Sequence, residues 1–252
     1  MDLTQSRPPN NNKIKFLKVG IFLFPLVLIF LIILNKILFG PMNDFYFNFA
    51  KEDGPAEYFT AIFYLLSFVF SVKIGITFIK QKKNLFALLY LLFSAIFFFI
   101  GFEEISWGQR IFLFETPEYF GENLQNQTNF HNLAIINDYQ NDTFFLVCFV
   151  GFILWAVFTH SDKLKNKSFT KFFVPPGFLM SYFISVFLFL GMYYFQNRIP
   201  ISSEGLLFYL FTYPDHEVIE FVLSIGIFIF ILSRMIELKN QKRITKLESW
   251  FK

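Results

Sequence analysis

Six stretches of the chain are each about 20 residues long and almost entirely apolar. A membrane-spanning α-helix needs about 20 such residues, because the hydrocarbon core of a bilayer is about 30 Å thick. A helix satisfies its own backbone hydrogen bonds, which no water can do inside that layer. The predicted spans cover approximately residues 19–40, 57–79, 85–105, 143–160, 172–195 and 216–234. The sequence therefore predicts an all-α, polytopic membrane helix bundle that forms one integral membrane domain over residues 1–252.

The composition agrees with a membrane bundle. Hydrophobic residues make up 55% of the chain and charged residues 16%, whereas an ordinary soluble domain has about 25% charged residues. This excludes a disordered chain, and the single cysteine, Cys148, excludes a disulfide-bonded scaffold. The net charge of +3 gives no sign of a nucleic-acid partner. The lipid bilayer is the partner that the composition predicts.

The charged residues divide between the two sides of the predicted bundle. Most of the 22 lysines and arginines fall on the side that holds both termini. They are Arg7, Lys13, Lys15 and Lys18, then Lys80, Lys82 and Lys83, then Lys163, Lys165, Lys167 and Lys171, and finally the basic residues of the tail. Because lysine and arginine in short loops stay in the cytoplasm, both termini are predicted to be cytoplasmic. Most of the 19 acidic residues fall on the opposite, outer side, where we expect any chemistry.

Polar residues on the outer side form four short segments, at 52–57, 103–110, 123–132 and 215–220. Each lies at the outer end of a span or in the loop beside it, so a compact bundle could gather them into one pocket. The first and the last begin helices, where acidic residues interact favourably with the positive end of the helix dipole. Glu220 lies one turn deeper than capping requires, and it shares a helix face with His216.

The segment at 103–110 is the least easily explained by helix capping. Glu103 and Glu104 lie at the carboxyl end of the third span, where the helix dipole repels negative charge. Two adjacent carboxylates near the hydrocarbon layer need partners. If the helix continues for another turn, Ser106, Trp107 and Arg110 follow Glu103 on one face. Arg110 then either binds a substrate or forms a clamp with a carboxylate that ties down the following loop.

The loop predicted at 107–142 is longer than most connections, and such loops are usually functional or disordered. Its amide-rich run from Asn123 to Asn132 either binds a polar head group or faces water. His131, within this run, is either a ligand or base or simply solvated.

Two resemblances follow from these segments. EDGPAEY, GFEEISWGQRIF and the NFHN element resemble a group of polytopic bacterial membrane proteins for which no activity is known. This resemblance implies a multi-pass protein of the bacterial inner (plasma) membrane. The adjacent glutamates, a downstream arginine and later histidines also resemble the CAAX-processing intramembrane proteases, although Arg110 is spaced further from Glu104 than in that family. The resemblance would give catalytic roles to Glu103, Glu104, Arg110, His131 and His216.

The residue types favour a membrane-embedded hydrolase or transferase that acts on a lipid or lipid-linked substrate. The predicted catalytic residues are Glu103, Glu104, His131 and His216. The predicted substrate-binding residues are Ser106, Trp107, Gln109 and Arg110, and Glu217 and Glu220 are predicted ligands of a divalent metal. The string HEVIE at His216 is not the HExxH zinc signature, so no motif specifies the metal.

Two other functions remain open at this point. The same carboxylates could form the ion site of a cation- or proton-coupled transporter, because ionisable residues in membrane spans mark such pathways. Alternatively, the acidic outer loops of a non-catalytic membrane scaffold subunit could bind a partner protein.

Overall fold

The computed structural model describes residues 11–40, 43–118, 128–130, 134–165, 167–198 and 215–248. Within these ranges the regular structure is helical and no strand occurs. The α-helices are α1 (Asn11–Phe39), α2 (Asp44–Ala50), α3 (Pro55–Lys80), α4 (Asn84–Glu103), α5 (Gln109–Phe112), α6 (Ala134–His160), α7 (Ser168–Phe173), α8 (Met180–Arg198) and α9 (Asp215–Glu248). Short 3₁₀ turns precede α5 and α8, at Ser106–Gly108 and Gly177–Leu179.

Six helical segments of the described chain are long and apolar enough to cross a membrane, which confirms the predicted all-α architecture. The most extensive packing between two helices joins the antiparallel pair α3 and α4, and α9 packs against α3. At Gly101 the two helices approach so closely that a β-carbon would lie 2.9 Å from the side chain of Leu65. Helix α8 packs against α6 and α9, and α1 packs against α8.

Three helices extend further than the hydropathy pattern predicts. Helix α1 begins at Asn11, α6 begins at Ala134 inside the segment expected to be loop, and α9 continues to Glu248. A hydropathy window marks only the part of a helix that lipid would cover. These extensions are polar, so their helical conformation leaves no apolar signal in the sequence.

The fifth span is interrupted, which the sequence analysis did not predict. Pro175 and Pro176 separate α7 from the 3₁₀ turn that begins α8. In an unbroken helix the carbonyl of Phe172 would accept from the backbone N–H of Pro176, which does not exist. The Tyr90 hydroxyl donates to this carbonyl instead, at 2.6 Å, and the Arg234 guanidinium donates to the carbonyl of Val174 at 2.9 Å. Neighbouring helices thus satisfy the carbonyl groups that the break exposes.

Contacts between helices confirm that the basic and acidic segments lie at two different ends of the bundle. At the basic end, Lys171 pairs with Glu237 at 2.6 Å, and Lys18 lies over the ring of Phe178. At the acidic end, Lys36 of α1 meets Asp215 of α9. The charge division read from the sequence is therefore a division in space, and the cytoplasmic placement of the basic end stays a prediction.

The pair of Lys36 and Asp215 is completely enclosed by protein. The Lys36 ammonium is 2.6 Å from each carboxylate oxygen of Asp215, and its side chain has 0% exposure. The Tyr46 hydroxyl donates to the same carboxylate, and the Tyr46 ring lies beside the ammonium. Asp215 lies in the first turn of α9, as expected, and its side chain also joins the ends of α1, α2 and α9.

We expect Lys36→Met and Asp215→Asn each to lower the thermal stability of the protein strongly. Removing one partner leaves an uncompensated buried charge, which costs about 3 to 5 kcal/mol. The control is Asp162→Asn, because the Lys165–Asp162 pair is exposed and such pairs contribute about 1 kcal/mol or less. Thermal unfolding in detergent measures all three variants. Equal losses of thermal stability from breaking the buried pair and from breaking the exposed pair would contradict this account.

Candidate functional site

The acidic end brings together carboxylates from three helices. Glu57 lies in the first turn of α3, Glu104 follows the last residue of α4, and Glu217 and Glu220 lie in the first two turns of α9. All four side chains are buried. We call these four residues the carboxylate cluster. Because α3 and α4 are antiparallel and α9 packs on α3, the three helix ends that carry them meet at one level of the bundle.

Three members of the cluster form a group with the geometry of a metal site. One carboxylate oxygen from each of Glu104, Glu217 and Glu220 lies within 4.8 Å of the others. The Glu104 and Glu220 carboxylates face each other within this group. Like charges this close repel each other unless the two groups share a proton or bind a cation. A proton or a cation is therefore needed to offset the repulsion within the group.

Glu57 completes the negative charge of the cluster. It interacts electrostatically with Glu217 and Glu220, and it accepts a hydrogen bond from the backbone N–H of Asp53. The amino ends of α3 and α9 provide partial positive charge for Glu57 and Glu217. Glu104 does not lie near such partial positive charge, because it follows the carboxyl end of its helix.

A second group reaches from the cluster toward the surface. The ligand atoms of Glu52, His216 and Glu217 lie within 4.8 Å of one another, and Glu52 and His216 are partly exposed. The His216 Nε2 atom is 3.2 Å from a carboxylate oxygen of Glu217. Glu217 belongs to both groups, so the two groups form one continuous polar region.

This set of donors fits a divalent cation. Carboxylate oxygens with one imidazole nitrogen are the ligands used for zinc, manganese and non-haem iron, whereas magnesium and calcium prefer oxygen alone. Carboxylates projecting from facing helices are also how di-iron and di-manganese helical bundles hold their metals. The predicted ligands Glu217 and Glu220 lie together as a metal site requires, and their role as ligands stays a prediction.

Glu103 has a different environment from Glu104, although the two are adjacent. Its carboxylate accepts hydrogen bonds from the indole N–H of Trp107 and from the backbone N–H of Phe130, the latter at 2.6 Å. Phe130 belongs to the far part of the long loop. Glu103 therefore anchors that loop to α4, and these contacts favour a structural role over the predicted catalytic one.

Two of the predicted substrate-binding residues, Ser106 and Gln109, also contact the loop, whereas Trp107 donates to Glu103 and packs against phenylalanines of α4. The buried Asn129 amide donates to the Ser106 hydroxyl at 3.3 Å. Gln109 donates to the Thr116 hydroxyl at 2.8 Å and accepts from the backbone N–H of Thr128 at 2.6 Å. Ser106, Gln109 and Glu103 are named the loop anchor. Asn129 was expected either to face water or to bind a head group, and it is fully buried instead.

Helix α4 does not continue toward Arg110, which was the condition for placing Ser106, Trp107 and Arg110 on one face with Glu103. The helix ends at Glu103, and Ser106, Trp107 and Gly108 have φ values of 46°, 54° and 84°. Left-handed backbone cannot continue a right-handed helix, and glycine adopts it most readily. The sharp turn nevertheless brings Trp107 back onto Glu103.

Two predicted site residues cannot be placed. His131 lies outside the described residues, and so does the side chain of Arg110. Their predicted roles, including an Arg110 clamp, stay predictions.

Sequence reasoning missed Glu52 and Glu57 as members of the site, because it attributed the EDGPAEY segment to helix capping. That interpretation is partly confirmed: Pro55 occupies the first turn, and Glu57 accepts a backbone N–H near the helix start. However, the residue at the cap is Gly54, which has no side chain to form a cap, and a β-carbon there would lie 2.4 Å from the Lys51 carbonyl oxygen. The sequence did contain one signal for these residues. Glu220 lies too far inside its helix to act as a cap, so it needed a partner from another helix.

Comparison with protein-family models, curated proteins and solved structures finds no match for this chain. The bacterial membrane family and the CAAX-processing proteases therefore stay resemblances. The geometry of the acidic end is what supports the proposals below.

The two adjacent glutamates should respond differently to substitution. We expect Glu103→Ala to release the loop, so that amide hydrogens at 107–116 and 128–130 exchange roughly tenfold faster, because hydrogen bonds to a charged group contribute about 1.5 to 3 kcal/mol. Glu104→Ala should leave exchange in these segments unchanged. Hydrogen-exchange mass spectrometry measures both variants, and faster exchange in the Glu104 variant alone would contradict the loop-anchor assignment.

Proposed function

We propose that this protein is a membrane-embedded hydrolase or transferase that uses a divalent cation at the carboxylate cluster to act on a lipid or lipid-linked substrate. The observation that carries the proposal is the convergence of Glu104, Glu217 and Glu220 within a buried space, with His216 beside them. A buried acidic group in an apolar bundle requires a compensating cation or proton. Buried ionisable groups of this kind are frequent at catalytic sites, where the chemistry uses their perturbed ionisation.

The residues have separable roles in this proposal. Glu104, Glu217 and Glu220 would hold the cation, which would supply a Lewis acid for an oxygen of the substrate. Glu57 lies next to these ligands without belonging to either three-residue group, which suits a general base. His216 is partly exposed and can transfer protons between the site and water.

A lipid substrate is supported by the surroundings of the site. The segment Ile111–Leu113 follows the loop anchor, and its apolar side chains are exposed. Exposed apolar residues beside a polar site are expected where a helix end meets the membrane interface. A lipid head group at that level would lie beside the cluster while its acyl chains stay in the bilayer. We further propose that the acidic end faces outward from a bacterial inner membrane, on the basis of the charge division.

Cation binding tests the proposal directly. We expect the purified protein to bind Mn²⁺ or Mg²⁺, which suit carboxylate ligands, and Glu104→Gln, Glu217→Gln or Glu220→Gln to weaken binding at least tenfold, by loss of a ligand. Glu115→Gln is the matched control, because Glu115 is exposed on the loop. Titration calorimetry measures the affinities. Unchanged affinity in all three cluster variants would refute the cation site.

Activity gives the second part of the test. In proteoliposomes of mixed phospholipids, the native protein should release or transfer a head group only with the cation present, and the cluster variants should not. The Glu115→Gln variant should retain activity. Full turnover in Glu104→Gln, Glu217→Gln and His216→Ala proteins would refute the enzymatic role.

A proton-coupled transporter is the second candidate, and two observations favour it. The carboxylates of Glu104 and Glu220 face each other in a buried space, where a shared proton would offset their repulsion. Buried hydroxyl groups also continue from Glu57 along one face of α3, at spacings of three and four residues. They are Thr60, Tyr64, Ser67 and Ser71. Within the described part of the chain the Ser71 hydroxyl has no hydrogen-bond partner.

The transport candidate makes its own prediction. A pH gradient across proteoliposomes should collapse faster with the native protein than with Glu104→Gln, as reported by a trapped pH-sensitive dye. Ser71→Ala should slow the flux, because it removes the last hydroxyl of the row. Equal dye responses in native, Glu104→Gln and empty liposomes, across a range of added cations, would exclude this function.

A further inference from the structure

A groove of about 510 Å³ lies at the basic end of the bundle, far from the carboxylate cluster. The first turns of α1 form one wall, and Phe178 in the 3₁₀ turn before α8 forms the other. Its lining residues are Ile14, Lys15, Lys18, Val19, Phe22 and Phe178. The volume is within the range of about 300 to 1,000 Å³ that small-molecule sites have.

The groove changes from cationic to apolar along the axis of α1. Lys15 and Lys18 lie toward the start of the helix, one turn apart, and both are exposed. Val19 and Phe22 follow toward the middle of the span, so the change occurs over about 10 Å. The Lys18 ammonium is 5.6 Å from the centre of the Phe178 ring. This contact between the Lys18 ammonium and the Phe178 ring lies at the boundary between the cationic and the apolar parts of the groove.

This order of charge and apolar surface matches the order of groups in a phospholipid. A phosphate lies at the membrane interface, and its acyl chains begin a few ångströms deeper. Basic pockets between spanning helices recognise anionic head groups in this way. A zwitterionic head group carries no net charge, so two lysines without a carboxylate among the lining residues select for an anionic one.

We propose that this groove binds one anionic phospholipid from the surrounding leaflet, with its phosphate at Lys15 and Lys18 and its first acyl carbons against Val19, Phe22 and Phe178. Residues 12–20 of α1 are all exposed, so the protein itself holds the start of this helix by few contacts. A lipid in the groove would join the start of α1 to the 3₁₀ turn before α8. The site is independent of the function proposed for the acidic end.

Native mass spectrometry with phosphatidylglycerol and phosphatidylcholine of identical acyl chains tests the proposal. The variants are Lys15→Gln/Lys18→Gln and, as a control, Lys80→Gln/Lys163→Gln. The control removes the same charge from exposed positions in the other basic segments. We expect the native protein to prefer phosphatidylglycerol, and the groove variant to bind it at least tenfold more weakly, with phosphatidylcholine binding unchanged.

The control protein should retain the affinity and the preference of the native protein. An equal loss in the control would show that the preference follows overall charge, and would overturn the proposal. Equal binding of the two lipids to the native protein would also overturn it, because the lysines would then not recognise the head group. Unchanged circular dichroism and monodisperse elution establish that each variant is folded.

Discussion

Charged and polar groups inside an apolar bundle must find partners within the protein, and the rest of this structure depends on that requirement. Neither lipid nor a packed core can solvate them. Lys36 and Asp215 meet this requirement as an ion pair that joins α1 to α9. Tyr90 and Arg234 meet it for the carbonyls exposed by the proline break. Each buried polar contact therefore fixes one helix against another where apolar packing alone is less specific.

The carboxylate cluster differs from these contacts, because the groups that it brings together are all acids. Glu103 accepts from the indole N–H of Trp107 and the backbone N–H of Phe130, whereas Glu104 faces Glu217 and Glu220. The two adjacent residues therefore have different partners. A group of acids that must share a proton or bind a cation can serve catalysis or transport, and both proposals begin from that single property.

The two ends of the bundle are specialised in opposite ways. The acidic end is built from helix termini that converge in the interior, and its polar groups are mostly buried. The basic end presents exposed lysines beside apolar surface, as at Lys15 and Lys18. Buried carboxylates favour binding of a small cation, whereas exposed lysines favour binding of an anionic head group at the membrane interface. Recognition of lipid at one end and chemistry at the other can therefore coexist.

The sequence by itself determined the all-α architecture, the six spans and the division of charge, because apolar length and loop charge are local properties of the chain. It also singled out Glu104, Glu217 and Glu220. Only the tertiary structure decided that these three converge while Glu103 holds a loop, since partners distant in sequence leave no local pattern. The same reason explains why Lys36 was not linked to Asp215. Helix packing, not hydropathy, selects which of the buried charges meet.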